Sequence, residues 1–326
     1  MVTIRGYGAY VPLYRIERTA IAEQHGDYAG GGETAVPAHD EDVVSLAVSA
    51  AKHALDHAGV DGTDLDAVYA ATTSDPFDER GVAPHVGYAV GADGAVRTGD
   101  FQGSARAATN ALLAADDTVT AGRAETALVV AADVLHADPG TSAEQTAGAG
   151  AGALVVGPDS ASGVATVEDA ASETTGFVGR FKRASSSPQE GDGRFNRENY
   201  LDAVTGAVER LGDVDPDHAA VPEPDGGWGD RALSALDLDA ESHGTFDAVG
   251  FAGAGSVLLD TVAALDAAAE GDRVLLAAYG PGGSDAAELT VTEVRDQEMT
   301  LQEYLDSKEY VTYAKHRDYR ELEVSA

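Results

Sequence analysis

Two short stretches decide the fold: Leu65-Asp66-Ala67-Val68-Tyr69-Ala70 and Thr245-Phe246-Asp247-Ala248-Val249-Gly250. Each reads as a short strand followed by a turn and then a helix. Working outward from the first, residues 3–11 are expected as a strand and residues 26–37 as a Gly-rich loop. Asp40-Glu41-Asp42 sets carboxylates at the start of a helix, where the helix dipole favours them. That helix carries Val43, Val44, Ala47, Val48, Ala51, Leu55 and Ala58 on one face, at i, i+3/i+4 spacing. Strands follow over 65–72, 126–134 and 151–156, with a helix over 104–115. The last two strands are apolar enough for a sheet covered on both faces.

Outward from the second stretch the grammar repeats. A strand over 163–167 precedes an irregular polar stretch, 185–195. Helices are expected over 196–210 and 228–236, a strand over 246–251, a helix over 256–269, and strands over 273–279 and 289–294. Two α/β halves of similar order imply an internally duplicated fold, with halves at 1–160 and 161–299. The remainder, 300–326, reads as a separate tail. Leu301-Gln302-Glu303-Tyr304-Leu305 is helical, and Tyr310, Tyr313 and Tyr319 are interleaved with Lys308, Lys315, Arg317 and Arg320. A helix docked on the body and a partner-binding tail both fit this pattern.

The chain has 326 residues, 56 acidic and 21 basic, for a net charge of −35, and no cysteine. With 44% hydrophobic residues it can bury a sizeable core. Absent cysteine excludes disulfides, thiolate metal ligands and a thiol nucleophile. A charge of this sign disfavours nucleic acid and anionic membranes as partners. Basic residues divide into 17 Arg and only four Lys (Lys52, Lys182, Lys308, Lys315). Acidity with scarce lysine points to a halophilic protein, since molar salt shortens the Debye length to ~3 Å. No apolar segment of spanning length or secretory leader is read, so a cytoplasmic protein is expected.

Chemistry is sparse in the residues themselves. Gly148-Ala149-Gly150-Ala151-Gly152 lacks the Lys-Ser/Thr of a phosphate loop and reads as a site of close backbone packing. Tyr279-Gly280-Pro281-Gly282-Gly283-Ser284-Asp285 either offers N–H donors to a ligand or is a plain turn. Histidines stand at 25, 39, 53, 57, 85, 136, 218, 243 and 316; His53 and His57, four apart, read as a solvated helix face. No Gly-x-Ser-x-Gly elbow is present. No metal site and no nucleophile–base pair emerge.

The order of segments resembles the thiolase superfamily, and more narrowly the archaeal type of hydroxymethylglutaryl-CoA synthase. The resemblance reaches to about Tyr319. It is carried by Gly32-Glu33-Thr34-Ala35-Val36-Pro37 before Asp40-Glu41-Asp42, by Ala131-Ala132-Asp133 leading into 148–152, and by Gly271-Asp272-Arg273-Val274-Leu275 running into 279–285. It implies a five-layered αβαβα fold of two pseudo-repeats, a dimer, and a tunnel for a CoA thioester. The family condenses acetyl-CoA with acetoacetyl-CoA through a Cys nucleophile, a Glu acid/base and an orienting His.

Matching short segments puts Ala105 (within Asp100-Phe101-Gln102-Gly103-Ser104-Ala105-Arg106-Ala107-Ala108-Thr109) where the Cys belongs. Thr73 stands for the Glu, and Pro222 (within Val221-Pro222-Glu223-Pro224-Asp225-Gly226) for the His. The family's Asn-bearing loop falls at 249–256, which has no Asn. Ser104 is expected to be a helix N-cap rather than a substitute nucleophile. Ser104, Asp75, Glu223, Asp225, Gly280, Gly282 and Ser284 are the candidates for lining a CoA pocket. The expected role is a non-catalytic acyl-CoA-binding or scaffolding subunit, with a CoA thioester as ligand and no covalent cofactor. Its implied partners are a thiolase and a zinc-ribbon OB-fold protein. The alternative is a condensing, decarboxylating or hydrolytic enzyme on acyl-CoA, built without cysteine on Asp75, Glu223 or His136. A third reading keeps the fold only to dimerise, with itself or with an active paralogue.

Overall fold

The computed structural model describes residues 2–77, 79–159, 161–181 and 189–321. The first half runs β1 (Val2–Tyr10), β2 (Tyr14–Glu17), α1 (Arg18–His25), β3 (Glu33–Val36), α2 (Val43–Ala58), β4 (Ala67–Thr72), α3 (Ala83–Ala89), β5 (Arg97–Gln102), α4 (Ala107–Thr120), β6 (Ala127–Val134), α5 (Ser142–Thr146) and β7 (Ala149–Pro158). The second runs β8 (Ala165–Thr174), a ribbon of β9 (Arg180–Phe181) and β10 (Gln189–Glu190), α6 (Gly193–Leu211), β11 (His218–Ala220), α7 (Trp228–Ala235), β12 (Glu241–Ser242), α8 (Phe246–Val249), α9 (Gly253–Ala267), β13 (Arg273–Gly280) and β14 (Gly283–Val291). Then come α10 (Leu301–Asp306), β15 (Glu309–Tyr310) and α11 (Tyr313–Glu321).

Ten strands are hydrogen-bonded in the order β12-β11-β13-β14-β8-β1-β7-β6-β4-β5. The order is a mirror of itself about the β8–β1 seam. On each side the half's first strand is followed by its fifth, fourth, second and third, and the fifth runs antiparallel to its neighbours. Helices α2, α3 and α4 occupy the places that α6, α7 and α9 occupy in the second half. One core packs α2 and α3 on the first half's strands, and another packs α6 and α7 on the second's. The largest lies between, where α4 and α9 are sandwiched. The result is the expected duplicated α/β fold with five layers.

α2 begins with a capping box: Ser45 N–H donates to Asp42 Oδ1 at 2.7 Å, and Asp42 N–H to Ser45 Oγ at 2.7 Å. Within the acidic run at 40–42, Asp42 is the cap, while Glu41 accepts from Tyr10 Oη at 2.5 Å and Ala38 N at 2.7 Å. The small residues at 148–152 do let backbones approach. A Cβ on Gly152 would stand 2.5 Å from Leu258 Cβ, and one on Gly255 would stand 2.3 Å from the Gly150 carbonyl. α9 therefore lies directly on β7.

Several expectations are corrected. Residues 246–251 are not a strand: Thr245 donates its N–H (2.8 Å) and hydroxyl (2.6 Å) to Asp260, and the chain turns into α8. The true counterpart of β4 is β11, only three residues long. The loop at 26–37 contains β3, which forms a separate sheet with β2 and β15. Of the polar stretch 185–195, residues 185–188 lie outside the described residues, and β10 and the start of α6 occupy most of the rest. Of the two readings of 279–285 the plain turn is the one found, a tight hairpin turn between β13 and β14 with Gly280 paired to Gly283. His53 and His57 are half-buried and engaged rather than a freely solvated face. His53 Nε2 lies 2.8 Å from Tyr304 Oη, and the His57 ring packs edge-on against Tyr7 at 4.6 Å.

The tail docks on the body. β15 pairs in parallel with β2, and Tyr319 stacks on Tyr14 at 5.4 Å. Lys308 Nζ and Tyr310 Oη each donate to Glu33 at 2.6 Å. Arg317 reaches Glu144, and Arg320 donates to the carbonyls of Leu135, Ala147 and Ala35. Among the described residues, no helix is long and apolar enough to cross a membrane.

Candidate functional site

Thr73, Ala105 and Pro222 all follow the carboxyl ends of parallel strands: β4, β5 and β11. In open α/β sheets such ends are where ligands bind. β4 and β5 pair in register through Thr72 and Gln102, which sets Thr73 beside the turn carrying Ala105. That turn, Ser104 to Arg106, leads into α4. Ala107 N–H donates to the Ser104 carbonyl at 2.9 Å, and Arg106 rather than Ser104 is the N-cap. The expected capping role of Ser104 is therefore not found.

The hairpin of β13 and β14 comes to the same turn. A Cβ on Gly280 would meet Ser104 Oγ at 2.3 Å and Ala105 N at 3.1 Å, so only glycine allows this approach. Arg106 clamps the hairpin, with Nε and Nη2 donating to the two Asp285 oxygens at 3.0 and 2.5 Å and Nη1 donating to the Gly282 carbonyl at 3.3 Å. Asp285 also accepts from Thr109 (2.7 Å), Asn110 (2.6 Å) and Ser172 (2.6 Å). Ser284 is fully buried and donates to the Ala278 carbonyl at 2.9 Å, which removes it as a ligand donor. Pro222 joins the group through aromatic contacts. Its carbonyl accepts from Tyr200 Oη at 3.3 Å, and Tyr200 packs on Tyr279 at 5.1 Å, next to Gly280.

Thr73 belongs to a second cluster, around Asp133 at the end of β6. The fully buried Asp133 carboxylate accepts from Thr72 Oγ1 (2.8 Å), Thr73 N (2.7 Å), Thr73 Oγ1 (3.0 Å), Ser74 N (2.8 Å), Ser74 Oγ (2.5 Å) and Ala254 N (2.6 Å). Burial raises its pKa against the pull of these donors. One carboxylate thus ties the loop after β4 to the start of α9.

The other candidate carboxylates are engaged locally. Asp75 accepts from Gln102 Nε2 and from Phe77 N. Glu223 Oε2 accepts from Gly229 N at 2.8 Å, at the beginning of α7, while burial pushes its pKa up. Asp225 is exposed and accepts from the adjacent Gly226 N. The buried Arg18 guanidinium, 4.0 Å over the Phe246 ring, interacts electrostatically with both Glu223 and Asp225. His136 lies elsewhere, beside His316 under α11. Among the described residues, no hydrogen bond joins Ser104 to a side-chain base.

The structure therefore brings Ala105, Ser104, Gly280 and Gly282 together, connects Pro222 to them, and sets Thr73 on a neighbouring strand end. Asp133, Arg106 and Asp285 were missed as a framework. The signal for Asp133 was its standing as the one acid in the apolar run 127–134; for Arg106 it was its spacing to Thr109 and Asn110 on one helix face. A surface cavity of about 440 Å³ lined by Tyr69, Arg97, Asp117 and Arg123 lies at the opposite end of β5 and carries none of these groups.

The chain is 34% identical to the hydroxymethylglutaryl-CoA synthase of Methanopyrus kandleri, over 97% of this chain and 96% of that one. It is 33% identical to that of Methanosarcina barkeri, over 98% of each. No family model matches. Among solved structures, MvaS in complex with 3-hydroxy-3-methylglutaryl coenzyme A superposes with a TM-score of 0.82 at 21% identity, covering 100% of this chain and 93% of that one. The 3-oxoacyl-(acyl carrier protein) synthase III of Pseudomonas aeruginosa gives 0.79 at 22% identity, over 90% and 99%. Both likenesses show the thiolase-like fold.

Proposed function

The chain belongs to the hydroxymethylglutaryl-CoA synthase family, and from that premise we propose that it is a non-condensing member that binds an acyl-CoA and serves as a scaffold. The observation that carries this reading is Ala105. It is buried at the turn into α4, at the position that segment matching assigns to the family's nucleophile, in a chain without any cysteine. Thr73, in the acid/base place, has its hydroxyl committed to Asp133. Pro222, in the histidine place, has no side-chain nitrogen to orient an acyl group. Condensation through a covalent acyl intermediate needs a nucleophile to take up the acyl group and then a base for the later proton transfers, and these positions supply neither.

A thiolase and a zinc-ribbon OB-fold protein are the proposed partners, with a homodimer or a pairing with an active paralogue as the proposed assembly. The tail cations already committed to Glu33 and Glu144 are not the proposed contact. The acidic composition supports a halophilic protein, and a cytoplasmic location is proposed with it. The test is made in molar salt. Purified chain is incubated with acetyl-CoA and acetoacetyl-CoA, then assayed by intact mass and product chromatography, with calorimetry for CoA binding and co-elution with the two partners. Expected are no acyl adduct, no condensation product, micromolar CoA-thioester binding and co-elution. Hydroxymethylglutaryl-CoA formed at an enzymatic rate would overturn the non-condensing reading, and absence of both binding and co-elution would overturn the scaffold.

A second reading rests on Glu223, a half-buried carboxyl whose pKa is pushed up by burial, which suits acid/base work on a thioester without a covalent step. Hydrolysis or decarboxylation of acyl-CoA lost in Glu223→Gln would select it.

A further inference from the structure

At the outer edge of the sheet, away from the strand ends just described, β11 and β12 pair in parallel with His218 opposite Glu241. His243 lies two residues beyond Glu241, on the same face of the extended chain. Its N–H is fixed at 2.9 Å to the Ala219 carbonyl. His218 Nδ1 is 2.9 Å from His243 Nε2 and 4.0 Å from Glu241 Oε2. One ligand-capable atom from each of the three residues lies within 4.8 Å of the others.

The orientation of His218 is set from behind. Its Nε2 stands 3.2 Å from Asp272 Oδ2, which also accepts from Ala269 N at 2.7 Å. The hydrogen of the His218 ring is thereby directed to Asp272, and the Nδ1 lone pair faces His243 and Glu241. A carboxylate holding the far nitrogen of a histidine is the arrangement that orients metal-ligating imidazoles.

We propose that His218 Nδ1, His243 Nε2 and the Glu241 carboxylate form a binding site for a divalent transition-metal ion of the zinc class, with Asp272 as the positioning residue. Two imidazole nitrogens and one carboxylate suit zinc and its neighbours, whereas magnesium and calcium demand oxygen. Metal–nitrogen bonds of about 2.0–2.1 Å in a tetrahedral site separate neighbouring donors by roughly 3.3 Å. The two rings need to part by a few tenths of an ångström, and Glu241, 70% exposed, swings in from solvent. The fourth position stays open to water. The ion ties the two-residue strand β12 to β11 at an edge where few backbone pairs hold it.

The test uses the full chain, stripped by chelator, in molar NaCl so that the acidic surface is screened. Zinc is titrated against a chromophoric chelator, and cobalt(II) is added separately for its visible spectrum. Expected are one zinc per chain with submicromolar affinity and an intense cobalt spectrum of tetrahedral type. His243→Gln should weaken zinc binding about 100-fold, and Glu241→Gln, an exposed change that leaves the fold intact, about 10-fold. Asp272→Asn should cost 10–100-fold, the range seen for groups behind a ligand. Unchanged zinc affinity in Glu241→Gln and His243→Gln would place the metal elsewhere and overturn the site. So would a wild-type chain that takes up no stoichiometric zinc at about ten micromolar free ion.

Discussion

Asp260 lies in the middle of α9, 2% exposed, with both Thr245 donors on one of its oxygens. Burial pushes its pKa up to about 7. In the unfolded chain the same group releases its proton near pH ~3.9. Between those values the folded state holds more protons, so stability contributed by Asp260 is fully present below about pH 4 and is lost as pH rises to about 7. Asp260→Asn keeps the acceptor and removes the titration. Urea unfolding from pH 4 to 8 should show the stability of wild type relative to the variant falling by up to about 4 kcal/mol, at about 1.4 kcal/mol per pKa unit. An equal difference at pH 4.5 and pH 7.5 would show that Asp260 does not titrate there. At Ala105 the informative change introduces a thiol. Ala105→Cys is expected to take up acetyl from acetyl-CoA, visible by intact mass, yet not to turn over, because Thr73 and Pro222 give no proton transfer. An Ala105→Cys chain that stays unmodified would argue that no acyl-CoA reaches this turn.

Among the elements, the crossing of α9 on β7 leaves no spare volume. Gly152→Ala places a methyl 2.5 Å from Leu258 Cβ, and overpacking of this kind costs about 1–3 kcal/mol; a shifted urea midpoint with an unchanged slope measures it. The hairpin clamp is stronger. Arg106→Ala strands the buried Asp285 carboxylate and should cost about 3–5 kcal/mol, while the double variant with Asp285→Asn should recover part of that loss. The elements differ in how openly the sequence displays them. α2 was legible because Val43 to Ala58 repeat at helical spacing behind Asp42. β4 was legible as a continuous apolar run. β11 was not, because three residues flanked by Asp217 and Val221 present no period at all. Residues 245–250 alternate like a strand, but the buried Asp260 pulls Thr245 into a turn, a tertiary contact that local pattern does not carry. The site divides in the same way. Segment matching points to the turn at Ala105, whereas its meeting with Gly280 spans some 175 residues and follows only from the mirror order of the sheet.

For the whole molecule the dominant quantity is the charge of −35. Self-repulsion on this scale opposes compaction, and it fades as the Debye length shrinks from about 10 Å at 0.1 M salt to about 3 Å at 1 M. The thermal midpoint is expected to fall when NaCl is lowered from 2 M to 0.1 M, and a flat or inverted dependence would remove the halophilic reading. The docked tail carries a different kind of consequence. Arg320 donates to the carbonyls of Ala35, Leu135 and Ala147, across 285, 185 and 173 residues of chain. During synthesis those three carbonyls, and the open side of β2, must wait until Arg320 is made, 173 residues after the last of them. The first half can collapse as it is made, but it cannot latch. Over that interval the nascent chain offers an unfinished sheet edge and a buried-to-be polar seam, the kind of exposure that favours wrong pairing over folding.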